Sequence, residues 1–158
     1  DTDKSPTNKS GAARVLHLDK NGKYINQWFG NNAGQGHFSM VHGIAINPSN
    51  GNVYIGDREE YRIVVYSGTG KFIKTIQMRN LVCALYVDPH GQLWMATGQD
   101  GQYFKIDWDG NVLGAIGNGP GRGEGQFTEA SYLVMDARGN LLTGDTSLNR
   151  ITKLTYRK

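Results

Sequence analysis

Four residues of this 158-residue chain could do chemistry at one shared place. His42, Cys83 and Ser131 open three segments that align on one another: HGIAINPSNGNVYIGDREEYRIVVYSGTGKF, CALYVDPHGQLWMATGQDGQYFKIDWDGNV and SYLVMDARGNLLTGDTSLNRITKLT. An imidazole, a thiol and a hydroxyl thus recur at one repeat position, and stacked repeats would set them in a ring. The fourth residue, Arg58, sits in the run Asp57-Arg58-Glu59. Its guanidinium offers a paired-donor fork, so Arg58 with His42 would favour a carboxylate or another anion. Two plainer roles stay open. His42 can be a rim histidine bonded to a loop carbonyl, and Arg58 can pair with Asp57, Glu59 or Glu60, worth under about 1 kcal/mol if exposed.

The elements that must position these residues follow from the repeats, which lie roughly 40 to 48 residues apart. A partial fourth copy stands at the front, where Arg14, Val15 and Gly22 match Arg62, Ile63 and Gly70. Within a repeat, apolar residues come in short runs, residues 43–46, 52–55, 62–66 and 71–76, separated by Gly, Asp, Asn and Pro. None has the 3.6-residue period of an amphipathic helix. Each repeat therefore reads as a four-stranded antiparallel meander, with Asn50-Gly51, His90-Gly91 and Arg138-Gly139 expected as two-residue hairpins between first and second strands. Thr69-Gly70 and Asp109-Gly110 do the same between third and fourth. Such sheets bury enough only by stacking, and their radial stacking is a β-propeller. The fold class is all-β, a partial propeller of about three and a half blades. The expected blade boundaries are 1–37, 38–78, 79–126 and 127–158.

The pattern HGIAI, GNVYIGD, an Arg with alternating apolar residues, GKF, and a Gly-rich stretch ending in Gln-Phe resembles the NHL repeat. GQGHF at Gly34–Phe38 and GEGQF at Gly123–Phe127 resemble its inter-blade linkers. The resemblance implies a six-bladed ring, which needs about 250 residues or more. The chain is accordingly read as a C-terminal half, opening near a second-strand end at Asp1-Thr2-Asp3. The partner implied is an N-terminal half, or another chain that completes the ring. The stretch Met40-Val41-His42-Gly43-Ile44-Ala45, with Asp57-Arg58-Glu59 and Arg62-Ile63, is further similar to one blade of the peptidyl-hydroxyglycine amidating lyases. That resemblance implies His42 as a zinc ligand and Arg58 as a catalytic cation. The chain departs from the family where Ala130-Ser131 replaces Pro-His. The family's Tyr is also missing, unless the loop over residues 4–12 supplies a substitute.

Composition narrows the alternatives. Seventeen basic residues against fourteen acidic ones give a net charge of +3 with no block of like charge, which speaks against a polyanion footprint. One cysteine excludes an internal disulfide or a cysteine-built zinc site. No run approaches a membrane span, and the polar start is no signal peptide. A secreted or periplasmic location comes only from the resemblance to bacterial NHL proteins. The glycines at 117–125 precede no helix and so make no phosphate loop. The leading functional reading is a non-catalytic propeller half that binds a peptide, glycan or protein at a channel rim lined by His42, Arg58, Cys83 and Ser131, without a cofactor. The alternatives are a diverged zinc-dependent amidating lyase and an RNA-binding NHL domain.

Overall fold

The computed structural model describes residues 13–30 and 37–155. The expected strand end at Asp1-Thr2-Asp3, the loop over residues 4–12 and the start of the first Gly-rich linker lie outside these residues. The described chain is all-β apart from a three-residue 3-10 turn at Arg58–Glu60.

Its strands form four antiparallel meanders. β1 (Val15–Leu18) pairs with β2 (Tyr24–Trp28). β3 (Val41–Ile46), β4 (Val53–Asp57), β5 (Arg62–Tyr66) and β6 (Phe72–Gln77) follow in sequence order, as do β7 (Ala84–Val87), β8 (Leu93–Ala96), β9 (Tyr103–Ile106) and β10 (Val112–Ile116). β11 (Ala130–Met135), β12 (Leu141–Asp145) and β13 (Arg150–Leu154) make the last sheet. This is the architecture of a partial propeller.

The cores lie between sheets. Every residue of β4 and β5 is buried, because both faces of that sheet are covered. Tyr54, Ile63 and Val65 pack with Leu85, Leu93, Met95 and Phe104 of the next sheet. From the opposite face Val53, Ile55, Val64 and Tyr66 pack with Val15, Trp28 and Phe38. A third core joins Ala96 and Tyr103 to Phe127, Leu133 and Leu141. Strand alternation assigns successive residues to opposite faces, so one β-branched run serves two cores.

The linker phenylalanines close these cores from one end. Phe127 is 1% exposed and meets the Tyr103 ring edge-on at 5.1 Å, while Phe38 does the same to Tyr66 at 6.3 Å. First strands converge closely: a Cβ added to Gly43 of β3 would stand 2.8 Å from the Leu85 backbone nitrogen of β7. Only a residue without a side chain fits there.

The hairpins differ from the two-residue turns expected. Asp88 N donates to Gln92 O, closing a three-residue loop with Gly91 at φ 78°. The cause is the aspartate, whose Oδ1 accepts the N–H groups of His90 (2.8 Å) and Gln92 (3.0 Å). Asp19, Asp107 and Asp136 cap their turns in the same way. The Asn47 turn is one residue longer, with Asn47 N donating to Asn52 O.

The Asn140 side chain, then its N–H, then Lys153 and the Arg138 N–H hold the Asp136 carboxyl below the usual carboxylate range. The Asn111 side chain and backbone do the same for Asp107. A depressed folded pKa gives stability that is complete above the unfolded value of about 4 and drains away as pH falls through the folded one. Melting temperature is therefore expected to drop between about pH 4 and 2, and Asp136→Ala should make that drop shallower. An unchanged slope in the variant would show that the turn contributes nothing to the acid limb.

Candidate functional site

In each meander the start of the first strand and the end of the second lie at the same end of the sheet. The loops entering β3, β7 and β11 therefore share one rim with the loops that follow β4, β8 and β12. His42 and Ser131 occupy the extra residue of a β-bulge, since the ladder register shifts between Val41 and Gly43 and between Ala130 and Tyr132. Cys83 holds the equivalent place just before β7 and is tied down by its N–H to Ala96 O.

The loops entering β3 and β11 are held by buried carboxylates at the ends of second strands. Asp57, fully buried, accepts the N–H groups of Ser39 (2.9 Å) and Met40 (2.8 Å) on Oδ1. Its Oδ2 takes Arg62 Nε at 2.9 Å and Nη2 at 2.8 Å. Asp145 repeats the device, accepting Thr128 N at 2.7 Å and Glu129 N at 3.2 Å with Arg150 beside it. A carboxylate that accepts several N–H groups fixes a loop more firmly than neutral bonds can.

These supports bring Arg58, Cys83 and Glu129 together from three successive sheets. Arg58 Nε donates to Cys83 Sγ at 3.0 Å and Nη2 to Glu129 Oε1 at 2.9 Å, while Nη1 binds Glu59 Oε1. Cys83 Sγ lies 3.8 Å from the same Glu129 oxygen, toward which its S–H points as a weak donor. Burial pushes the Cys83 thiol up, and the opposing pull of Arg58 does not cancel it. The sulfur is thus a buried thiol rather than a reactive thiolate. Burial alone would lower the Arg58 pKa, but Cys83 and Glu129 together raise it, so the guanidinium is firmly charged.

His42 Nδ1 lies 2.5 Å from Cys83 O. A carbonyl only accepts, so Nδ1 carries the proton, and in the neutral ring Nε2 is left as an acceptor. Nε2 has no hydrogen-bond partner among the described residues. The Tyr132 ring stands beside it, with centroids 6.5 Å apart. Ser131 turns inward: 3% exposed, its hydroxyl donates to Glu129 O at 3.2 Å and so receives from Thr146 Oγ1 at 3.0 Å.

Arg58 therefore has the ion pair with Glu59 that the sequence suggests, but not one with Asp57, which Arg62 occupies. Sequence reasoning missed Glu129. It falls at the repeat position of Met40 and Leu81, and that exchange of an apolar residue for a carboxylate was the available signal. A cleft of about 680 Å³ between the third and fourth sheets contains none of these residues; Trp94, Met135, Leu141 and Leu154 line it near the His90 and Gly139 turns.

The donors do not fit a three-ligand zinc centre. His42 offers one nitrogen, Cys83 is a thiol held by Arg58, and the Ser131 hydroxyl is committed. Among the described residues no three His, Cys, Asp or Glu side chains gather as a metal-binding group.

Comparison with known proteins agrees with the architecture. The chain is 30% identical over 95 residues to peptidyl-glycine alpha-amidating monooxygenase A of Xenopus laevis, a match covering 55% of this chain and 10% of that one. Among solved structures, a catalytically inactive virginiamycin B lyase of Staphylococcus aureus with Quinupristin superposes with a TM-score of 0.66 at 19% identity, over 91% of this chain and 46% of the other. A protein of unknown function from Bacteroides caccae superposes with a TM-score of 0.62 at 12% identity, over 84% of this chain and 48% of the other. The chain thus spans about half the length of these solved structures and a tenth of that curated relative. At such identities the structures speak for the fold alone. Residues 7–113 match the family DUF5128, described as a 6-bladed beta-propeller. With the meanders, the cores between sheets and the repeated rim position already in view, the chain belongs to this NHL-like family of six-bladed β-propellers.

Proposed function

We propose that this propeller segment binds a peptide or protein partner at its rim, without catalysing a reaction on it. The observation that carries the reading is the tie between Arg58, Cys83 and Glu129 across three sheets, to which His42 is joined through the Cys83 carbonyl. A rim locked by buried partners is preorganised, and preorganisation lowers the ordering cost of binding. The name of one relative, peptidyl-glycine alpha-amidating monooxygenase, supports a peptide as the ligand.

The test is selection of a random peptide library on the full-length protein. Peptides are expected to be enriched, and their retention should change roughly tenfold or more in Arg58→Ala, which unties Cys83 and Glu129, and in His42→Ala, the worth of one charge-assisted hydrogen bond. His90→Ala, in a turn at the other end of the strands, should leave retention unchanged. Enrichment indifferent to Arg58 and His42 would refute the reading.

A second reading, a diverged zinc-dependent lyase, is favoured by one feature. A histidine that donates Nδ1–H to a carbonyl holds Nε2 in the orientation that metal-ligating histidines use. Further donors would have to come from outside the described residues. Zinc content of the full-length protein that falls on His42→Ala would support it. The RNA reading gains nothing from the rim loops: among the described residues they carry three arginines (58, 79 and 122) against five carboxylates (59, 60, 100, 124 and 129).

A further inference from the structure

Around Cys83 each side-chain donor group already has a partner, while several acceptors have none among the described residues. The S–H of Cys83 points to Glu129, the O–H of Ser131 goes to a carbonyl, and Nδ1–H of His42 goes to another. Arg58 puts Nε, Nη1 and Nη2 each on one partner, Cys83, Glu59 and Glu129, and keeps one further N–H on each Nη. Besides those two N–H groups, what lacks a partner among the described residues is His42 Nε2 and the second oxygen of each glutamate, all of them acceptors. Charge points the same way. One guanidinium faces two carboxylates, with Arg58 and Glu129 side chains only 14% and 15% exposed and Glu59 36% exposed.

Resting on the rim reading above, we infer that the rim ligand is a cationic, donor-bearing group of a peptide: a guanidinium or ammonium rather than a carboxylate. This reverses the anion preference that Arg58 and His42 suggest in the sequence, because a partner 71 positions away already occupies the arginine. A cation would complete the charge of the Glu59–Arg58–Glu129 group and donate to the open oxygens and to His42 Nε2. The Tyr132 ring, 59% exposed beside His42, adds a face that favours cations. An incoming carboxylate would instead meet two others over one shared guanidinium, and like charges at that range repel.

The experiment uses the full-length protein and two blocked tripeptides, acetyl-Gly-Arg-Gly-amide and acetyl-Gly-Glu-Gly-amide, followed by amide shift mapping in NMR titrations. The arginine peptide is expected to move amides of residues 58–60, 83 and 129–131, and the glutamate peptide to leave them unmoved. Replacing both Glu59 and Glu129 with glutamine keeps side-chain shape and should weaken the arginine peptide roughly tenfold, as expected for loss of about one charge-assisted contact. A melting curve matching the parent would show that the double variant is folded; if it is not, Glu59→Gln alone, at the more exposed carboxylate, should still weaken binding. Tighter binding of the glutamate peptide at these amides, abolished by Arg58→Ala, would overturn the cation preference and leave rim binding standing. If neither peptide moves these amides, both fall together.

Discussion

Asp57→Ala should destabilise the full-length protein by about 3–5 kcal/mol, the usual loss when one partner of a buried ion pair is removed. The carboxylate is wholly buried and holds four donors: two loop N–H groups and two nitrogens of Arg62. Removing it leaves the arginine charge, itself 5% exposed, without its carboxylate, and frees the segment that leads into β3. Asp57→Asn should lose less, because the amide oxygen can still accept from Ser39 and Met40. Asp145→Ala should also lose less, since Arg150 stands 3.6 Å from its carboxylate with a side chain 31% exposed. Urea unfolding followed by tryptophan fluorescence would measure all three. An Asp57→Ala loss below about 1 kcal/mol would mean that the pair is not the support described.

Gly98→Ala is expected to damage both stability and the rim. Gly98 holds φ +60°, which L side chains rarely adopt, at the repeat position that carries Arg58 in the preceding sheet. An added Cβ would stand 2.7 Å from Cys83 Sγ, 3.1 Å from Glu129 Oε1 and 3.2 Å from Leu81 Cδ1. The Glu129 carboxylate can swing away; the buried sulfur and leucine cannot. Strain and overpacking together should lose about 2–3 kcal/mol. The Arg58–Glu129 contact should go with it, so rim-dependent peptide retention should fall in the fraction that remains folded. A variant that melts like the parent and retains peptide normally would show that the rim tolerates a side chain there.

Much of the fold was legible because each strand run is short, apolar and bounded by turn residues, and because three copies fix one another's register. The runs at 62–66 and 71–76 fall on β5 and β6 within a residue. The hairpin lengths are not legible from the His90-Gly91 and Arg138-Gly139 pairs themselves, because the turn-setting atom is a carboxylate two residues before each pair, at Asp88 and Asp136, and at Asn50-Gly51 it is the Asn47 side-chain amide. For the site, aligning the repeats was enough to put His42, Cys83 and Ser131 at equivalent places. It could not say that Ser131 turns inward, which depends on a hydroxyl finding a carbonyl two residues before it. Nor could it find Glu129, whose importance comes from a contact between sheets rather than from its neighbours in the chain.

The bulges at His42 and Ser131 have an evolutionary consequence. A residue that the ladder does not pair can be exchanged without breaking strand hydrogen bonds or moving the neighbouring side chains to the wrong face. Imidazole and hydroxyl already alternate there within one chain, on the same scaffold. Descendants of this sequence are therefore free to acquire or discard ligand groups around the hollow by single substitutions, while the stacked sheets beneath stay as they are.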